Sequence, residues 1–103
     1  MCGIVGTIGG NTELIESAIS TIKHRGPDDS GVFLDSKSKI GLGHQRLSIL
    51  DISSLGHQPM VATDRKVVIV FNGEIYNFRE LRSQLEEKSY TFQGHSDTEV
   101  LLN

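Results

Sequence analysis

The residue best placed for chemistry is Cys2, the only cysteine of the chain, which directly follows Met1. A lone cysteine is ordinarily an inert, buried apolar residue. If Met1 is removed, however, Cys2 carries both a thiol and a free α-amine. The amine can then take the thiol proton, so that one residue supplies the nucleophile and its general base. The position alone leaves both interpretations open.

A second candidate is the dipeptide Asn72-Gly73, which directly follows the apolar run 67–71. Asn-Gly ordinarily forms a tight hairpin turn. Here the next residues predict a helix rather than a second strand. The backbone N–H of Gly73 and the side-chain amide of Asn72 are also the donors that an oxyanion hole needs. The dipeptide alone fits either a turn or an oxyanion hole.

Two charged residues could bind the charged groups of a small substrate. Arg46 lies in a predicted strand, where an arginine is most often structural, but its guanidinium could clamp a carboxylate through two hydrogen bonds. Asp97 lies at a predicted helix start, where a carboxylate ordinarily caps the helix or favours its dipole. Its functional interpretation is a counter-charge for a substrate amine.

The histidines and glycines favour neither a metal site nor a nucleotide site. No pair of histidines has the local spacing of metal ligands; they are His24, His44, His57 and His95. The stretch Gly6-x-x-Gly9-Gly10, with Asp35 as a ribose ligand, would be a nucleotide-binding alternative. Its spacing departs from G-x-G-x-x-G, so glycines that allow a tight turn are the favoured interpretation.

Hydrophobic periodicity predicts the elements that must position these residues. A first strand is predicted over residues 2–9, followed by a helix capped at Asn11 or Thr12 that ends before Gly26-Pro27. Two strands, residues 31–35 and 40–50, are joined by the polar turn 36–39. The predicted buried face of the helix consists of Leu14, Ile15, Ala18, Ile19 and Ile22.

The second half of the chain predicts one strand and two helices. Residues 67–71 are apolar at every position, which predicts a strand buried on both faces. Asn77 with Glu80 gives the capping signature of a helix that turns its Leu81 and Leu85 inward, and Ser96 with Glu99 repeats that signature.

Composition limits the classes of protein that fit. The chain has 103 residues, with 10 Lys and Arg against 13 Asp and Glu, so its formal charge is −3. This length suits one domain or part of one, and the mild acidity argues against nucleic acid as the main partner. The longest apolar run is too short to span a membrane. With no visible signal peptide and a single cysteine, we expect a cytoplasmic protein without a membrane partner.

Six motifs follow one another along the chain: Met1-Cys-Gly-Ile-Val-Gly6, His24-Arg-Gly-Pro-Asp-Asp-Ser-Gly31, His44-Gln-Arg-Leu-Ser-Ile-Leu-Asp51, Gly56-His-Gln-Pro-Met60, Phe71-Asn-Gly-Glu-Ile-Tyr-Asn-Phe78 and His95-Ser-Asp-Thr-Glu-Val-Leu101. Together they resemble the glutaminase domain of glutamine-hydrolysing asparagine synthetase, a class II glutamine amidotransferase of the N-terminal nucleophile hydrolases. The resemblance covers nearly the whole chain.

The resemblance implies a role for each candidate. After loss of Met1, Cys2 attacks the side-chain amide carbon of glutamine and its own α-amine shuttles protons, which releases ammonia and leaves a γ-glutamyl thioester. The other implied site residues are Asn72 and Gly73 as the oxyanion hole, Arg46 as the clamp for the substrate α-carboxylate, and Asp97 with Glu74 around the α-amine.

The remaining motif residues have less direct implied roles. Residues 24–30 are expected to shape the pocket wall and the exit for ammonia. We expect structural roles for His44, His57 and His95.

The resemblance also implies an α+β fold, the αββα four-layer sandwich, of which residues 1–103 are expected to be the first part of a truncated amidotransferase domain. ATP and magnesium belong to the synthetase domain, so no cofactor or metal is expected for this chain. The expected partners are glutamine, the synthetase domain and, through an open sheet edge, a second copy of the chain. The alternative is a catalytically silent fragment that acts as a binding or interaction module.

Overall fold

A three-stranded antiparallel sheet organises the first half of the chain. The computed structural model describes residues 1–48 and 53–103. The strands are β1 (Gly3–Ile8), β2 (Asp29–Asp35) and β3 (Ile40–Arg46), in the order β1-β3-β2. Because β3 is central, its residues pair on both sides: His44 lies opposite Ile4 and Gly31. Side chains alternate across a strand, so His44 and Arg46 share one face of the sheet.

The opposite face of the sheet carries helix α1 (Thr12–Thr21). The Asn11 side chain accepts the Leu14 N–H at 2.9 Å, which caps the helix. Ile15 and Ile19 are buried against the sheet, where β3 presents glycine: a Cβ at Gly41 would lie 2.8 Å from Cδ1 of Ile15. Glycine therefore allows the close approach of helix and sheet.

The small core makes Ile15 a sensitive position. Ile15 is fully buried, whereas its neighbour Leu14 is 53% exposed. We expect Ile15→Ala to lower the free energy of unfolding by about 2–5 kcal/mol, because it removes buried methyl groups and leaves a cavity. Leu14→Ala is the matched control and should change it by at most about 0.5 kcal/mol. Urea titration of both variants measures this difference, and equal losses would contradict the assigned core.

The second half of the chain is built from shorter elements. Strands β4 (Met60–Val61) and β5 (Val68–Ile69) form a separate two-stranded antiparallel sheet. Helices α2 (Phe78–Glu87) and α3 (Asp97–Leu102) follow, and the Ser96 hydroxyl caps α3 by accepting the Glu99 N–H at 3.2 Å. Two single-turn 3-10 helices, Lys23–Arg25 and Ser54–Gly56, complete the described elements. No helix in the described ranges is long and apolar enough to cross a membrane.

Most predicted elements are present, and the mixed α and β class is confirmed. Strand β1, helices α1, α2 and α3, and the β2–β3 hairpin with its turn at residues 36–39 lie close to their expected positions. Helix α1 ends earlier than predicted, at Thr21, before the separate turn Lys23–Arg25. Leu14 was predicted to be buried but is exposed, because the contact with the sheet is confined to the narrower stripe of Ile15 and Ile19.

Two further predictions were wrong in detail. Strand β3 ends at Arg46; its predicted continuation passes through Leu47 and Ser48, which are not in a strand, and positions 49 and 50 lie outside the described residues. The Asn77 side chain makes no cap hydrogen bond, although Asn77 is the N-cap residue of α2. Leu81 and Leu85 are half-buried on the less exposed face of α2, as predicted.

The predicted strand over residues 67–71 is reduced to β5, which is half-buried, and Val67 is 51% exposed. The physical reason is a change of hydrogen-bond partner. The N–H of Phe71 donates to Oε1 of Gln58 at 2.7 Å, and its carbonyl oxygen lies 3.2 Å from Nε2 of His44. Side chains therefore take the place of a neighbouring strand, and the ladder stops at Ile69.

Candidate active site

One pocket brings together five of the six residues predicted for the site. It lies between the end of β3, the segment after β5 and the start of α3. The predicted residues that line it are Cys2, Arg46, Gly73, Glu74 and Asp97, and the other lining residues are Leu47, Gly56, Gln58, Phe71, Ser96 and Thr98. Asn72 is half-buried and adjoins the pocket in sequence but is not one of its lining residues.

Cys2 is half-buried and held through two of its atoms. Its Sγ accepts the N–H of Leu47 at 3.3 Å and lies 3.6 Å from the carbonyl oxygen of the same residue. Arg25 donates from Nε to the carbonyl oxygen of Cys2 at 3.1 Å. The segment after β3 therefore positions the thiol, and Arg25 fixes the backbone beside it. Sequence reasoning expected this arginine in the pocket wall and missed its contact with Cys2.

Arg46 is 7% exposed and lines the pocket. Its Nη1 donates to the carbonyl oxygen of Ser53 at 3.0 Å. The guanidinium also passes so close to Gly56 that a Cβ at that position would lie 2.7 Å from Cζ. A guanidinium has five N–H donors in a planar fork. Arg46 therefore brings a cation with several donors to the pocket that Cys2 also lines.

Asp97 is 5% exposed and faces the pocket from the start of α3. Its Oδ2 accepts the N–H of Ile75 at 2.8 Å. The carboxylate thereby holds the segment that follows Glu74, which is exposed and also lines the pocket. Arg46, Glu74 and Asp97 thus line the same pocket as Cys2.

Two further buried side chains bind the backbone of Phe71. His44 is fully buried, and Gln58, which is 6% exposed, also donates from Nε2 to Oγ1 of Thr98 at 3.2 Å. Burial lowers the pKa of His44, so the imidazole is neutral at ordinary pH. A neutral imidazole carries one hydrogen, and the Phe71 carbonyl can only accept, so Nε2 is the donor.

Sequence reasoning missed the contribution of both side chains. His44 lies two positions before Arg46 on β3, so strand alternation could have placed it on the face of the pocket. Gln58 carries no such local signal, because only the tertiary fold brings it to Phe71.

The pocket is lined by charged side chains of both signs. A free amino acid carries a carboxylate and an ammonium group, which call for one cation and at least one anion in the protein. Arg46 supplies the first, and Asp97 and Glu74 supply the second. Within residues 1–48 and 53–103, no group of three His, Cys, Asp or Glu side chains is arranged to hold a metal ion.

Comparison with known proteins identifies the family of the chain. The chain is 47% identical over 110 residues to asparagine synthetase [glutamine-hydrolyzing] 1 of Bacillus subtilis, an alignment that covers 99% of this chain and 17% of the relative. It is 43% identical over 122 residues to a putative asparagine synthetase [glutamine-hydrolyzing] 2 of Methanocaldococcus jannaschii, an alignment that covers 99% of this chain and 23% of the relative. It is 42% identical over 110 residues to asparagine synthetase [glutamine-hydrolyzing] of Zea mays, an alignment that covers 100% of this chain and 18% of the relative.

The chain therefore spans 17% to 23% of the length of these relatives. A family described as the glutamine amidotransferase domain matches residues 1–103, the entire chain. The chain belongs to the glutamine amidotransferase domain family.

Proposed function

We propose that this chain hydrolyses glutamine to glutamate and ammonia with Cys2 as the nucleophile, and that the ammonia serves asparagine synthesis from aspartate. The observation that carries the proposal is the convergence of Cys2, Arg46 and Asp97 on one pocket. These residues are far apart in sequence, and together they match the reactive and charged groups of a glutamine molecule. The names of the relatives, glutamine-hydrolysing asparagine synthetases, support the same substrate.

The proposed reaction has two stages. After loss of Met1, the α-amine of Cys2 takes the thiol proton, and the sulfur attacks the side-chain amide carbon of glutamine. The tetrahedral intermediate collapses when the amine returns the proton to the leaving nitrogen, so ammonia departs and a γ-glutamyl thioester remains. Water, activated by the same amine, then attacks the thioester, and glutamate leaves as the thiol is restored.

The intermediate carries negative charge on the former amide oxygen, which needs donors that are already in place. In the proposal these are the backbone N–H of Gly73 and the side-chain amide of Asn72. Gly73 lines the pocket, and Asn72 precedes it directly. Arg46 binds the substrate α-carboxylate, and Asp97 with Glu74 binds the α-amine, which points the side-chain amide of glutamine toward Cys2.

The wider parts of the proposal concern the whole protein. The complete domain forms the four-layer αββα sandwich, and a synthetase domain that uses ATP and magnesium captures the ammonia in the cytoplasm. The relatives are several times longer than this chain, which supports the synthetase domain as a partner within one polypeptide. No observation in the pocket favours the alternative of a silent interaction module over the glutaminase.

The decisive experiment uses the electrophilic glutamine analogue diazo-oxo-norleucine. The intact mass of the purified chain is measured before and after exposure, with and without excess glutamine. The proposal expects loss of Met1, one adduct on Cys2, and suppression of that adduct by glutamine. A folded chain that lacks Met1 and forms no adduct would contradict the proposed glutaminase activity.

A substitution at Asp97 tests the binding of the substrate amine. Asp97→Asn keeps an oxygen that can accept the Ile75 N–H, and it removes only the charge. A charge-assisted hydrogen bond contributes about 1.5–3 kcal/mol, so KM for glutamine should rise about 10–100-fold. Steady-state glutamate release measures KM, and Asp64→Asn, an exposed aspartate outside the pocket, is the control. A KM equal to that of the parent would remove Asp97 from substrate binding.

A further inference from the structure

We propose that His44 and Gln58 are positioning residues that hold the backbone of Phe71 at both its polar groups and thereby direct the Asn72 and Gly73 donors toward Cys2. The inference rests on the proposed glutaminase reaction and adds to it two side chains that do not touch the substrate. It begins with the two hydrogen bonds to Phe71, 2.7 Å from its N–H to Gln58 and 3.2 Å from its carbonyl oxygen to His44.

The geometry of the peptide bond explains why these contacts matter. The carbonyl of Phe71 and the N–H of Asn72 belong to one planar unit with almost no freedom about its central bond. Fixing the carbonyl through His44 therefore fixes the plane that enters Asn72. Gln58 fixes the preceding N–H. The backbone is thus held on both sides of Phe71, immediately before the proposed oxyanion donors.

The two side chains also connect this segment to the groups that would bind the substrate. His44 shares a strand face with Arg46, two positions further along β3. The other end of the Gln58 amide donates to Thr98, which adjoins Asp97 in α3. The hydrogen bond between Gln58 and Thr98 is buried, where hydrogen bonds are electrostatically stronger than in water. The oxyanion segment, the proposed carboxylate clamp and the proposed amine site are therefore held in one frame.

A purely structural role would favour an apolar side chain in place of His44. Its Nδ1 is buried and has no hydrogen-bond partner among the described residues. Leaving a buried acceptor unpaired is unfavourable, and an apolar side chain of similar size would avoid it. The benefit that offsets this loss is the one bond that His44 does make, from Nε2 to the carbonyl of Phe71.

Two substitutions at His44 separate this role from simple filling of space. A glutamine side chain at position 44 can place its amide nitrogen where Nε2 of His44 lies. The amide nitrogen of an asparagine side chain there lies closer to the position of Nδ1. We expect His44→Asn to lower kcat about 100-fold, the effect of a displacement of about 1 Å in the site, with KM within about threefold of the parent. His44→Gln should keep kcat within about tenfold, because the donor to Phe71 is restored.

Gln58→Met provides an independent variant, since it keeps the length of the side chain and removes both hydrogen bonds; it should also lower kcat about 100-fold. His57→Gln is the matched control, because His57 is exposed and does not line the pocket. Iodoacetamide alkylation of Cys2 needs no oxyanion hole, so its rate should stay unchanged in every variant. Folding of each variant is checked by its thermal melt.

The outcomes separate the two proposals. Parent-like kcat in folded His44→Asn and Gln58→Met would overturn the positioning role while the glutaminase stands. If the parent itself releases no glutamate, the proposed function fails. The backbone amides of Asn72 and Gly73 can then still test whether His44 and Gln58 hold the segment. Their hydrogen exchange should then be faster in His44→Asn than in the parent and in His57→Gln. Equal exchange rates would overturn the positioning role as well.

Discussion

Replacing Cys2 with serine is expected to lower the rate of glutamate release from glutamine by about 10⁴-fold or more. A serine hydroxyl is a far weaker nucleophile than a thiol beside the same amine, so formation of the acyl intermediate slows. The hydroxyl can still accept the Leu47 N–H that the thiol accepts at 3.3 Å. The substitution therefore changes the reacting atom and leaves its surroundings in place.

Binding of glutamine should survive this change, because Arg46 and Asp97 hold the charged end of the substrate in the proposed arrangement. Isothermal titration calorimetry with Cys2→Ser should give a Kd for glutamine within about threefold of the parent, as expected when only a transition-state interaction is removed. Residual turnover within tenfold of the parent would show that another group is the nucleophile. Loss of binding together with turnover would instead point to a damaged pocket.

Blocking the α-amine of Cys2 is expected to lower kcat by about 10²–10⁴-fold, the range typical of a lost general acid–base group. The reason lies in the surroundings of the thiol. The two contacts that the described residues make with Sγ both come from the backbone of Leu47, which cannot accept and return a proton during turnover. In the proposed mechanism, the free amine of Cys2 is the base for this task.

A chain with one additional glycine ahead of Cys2 tests this expectation against a chain that begins at Cys2. Both keep the thiol and the pocket, and they differ only in whether the amine belongs to the nucleophilic residue. Their thermal melts should agree, since Met1 at the same position is 67% exposed. Rates of glutamate release that agree as well would assign the proton transfer to a different group.

The parts of this structure that sequence could predict are those specified by short-range patterns. Helix α1 follows from the apolar spacing of Ile15 and Ile19 and from the Asn11 cap, all within a few residues of one another. The cap at Ser96 is equally local. Residues 67–71 illustrate the limit of this approach. Their apolar run predicts a long buried strand. The strand ends early because the side chains of Gln58 and His44, rather than a neighbouring strand, bind the backbone of Phe71.

In the candidate site, too, some features follow from the sequence and others only from the tertiary fold. Cys2, Arg46 and Asp97 each have an ordinary structural interpretation, and only the order of the motifs along the chain indicated a common site. Their convergence on one pocket is a property of the tertiary fold. Arg25 and Gln58 could not be assigned from spacing, since each acts through a backbone group far away in sequence.

The exposed position of Met1 has a consequence for how activity begins. Cys2, Arg46 and Asp97 already line one pocket while Met1 is still attached, and Arg25 holds the Cys2 carbonyl. Under the proposed mechanism such a chain is a zymogen, folded but without its base. Its maturation then requires hydrolysis of one peptide bond, the bond after the exposed residue Met1. Under that mechanism, ammonia production begins only after an aminopeptidase has removed Met1.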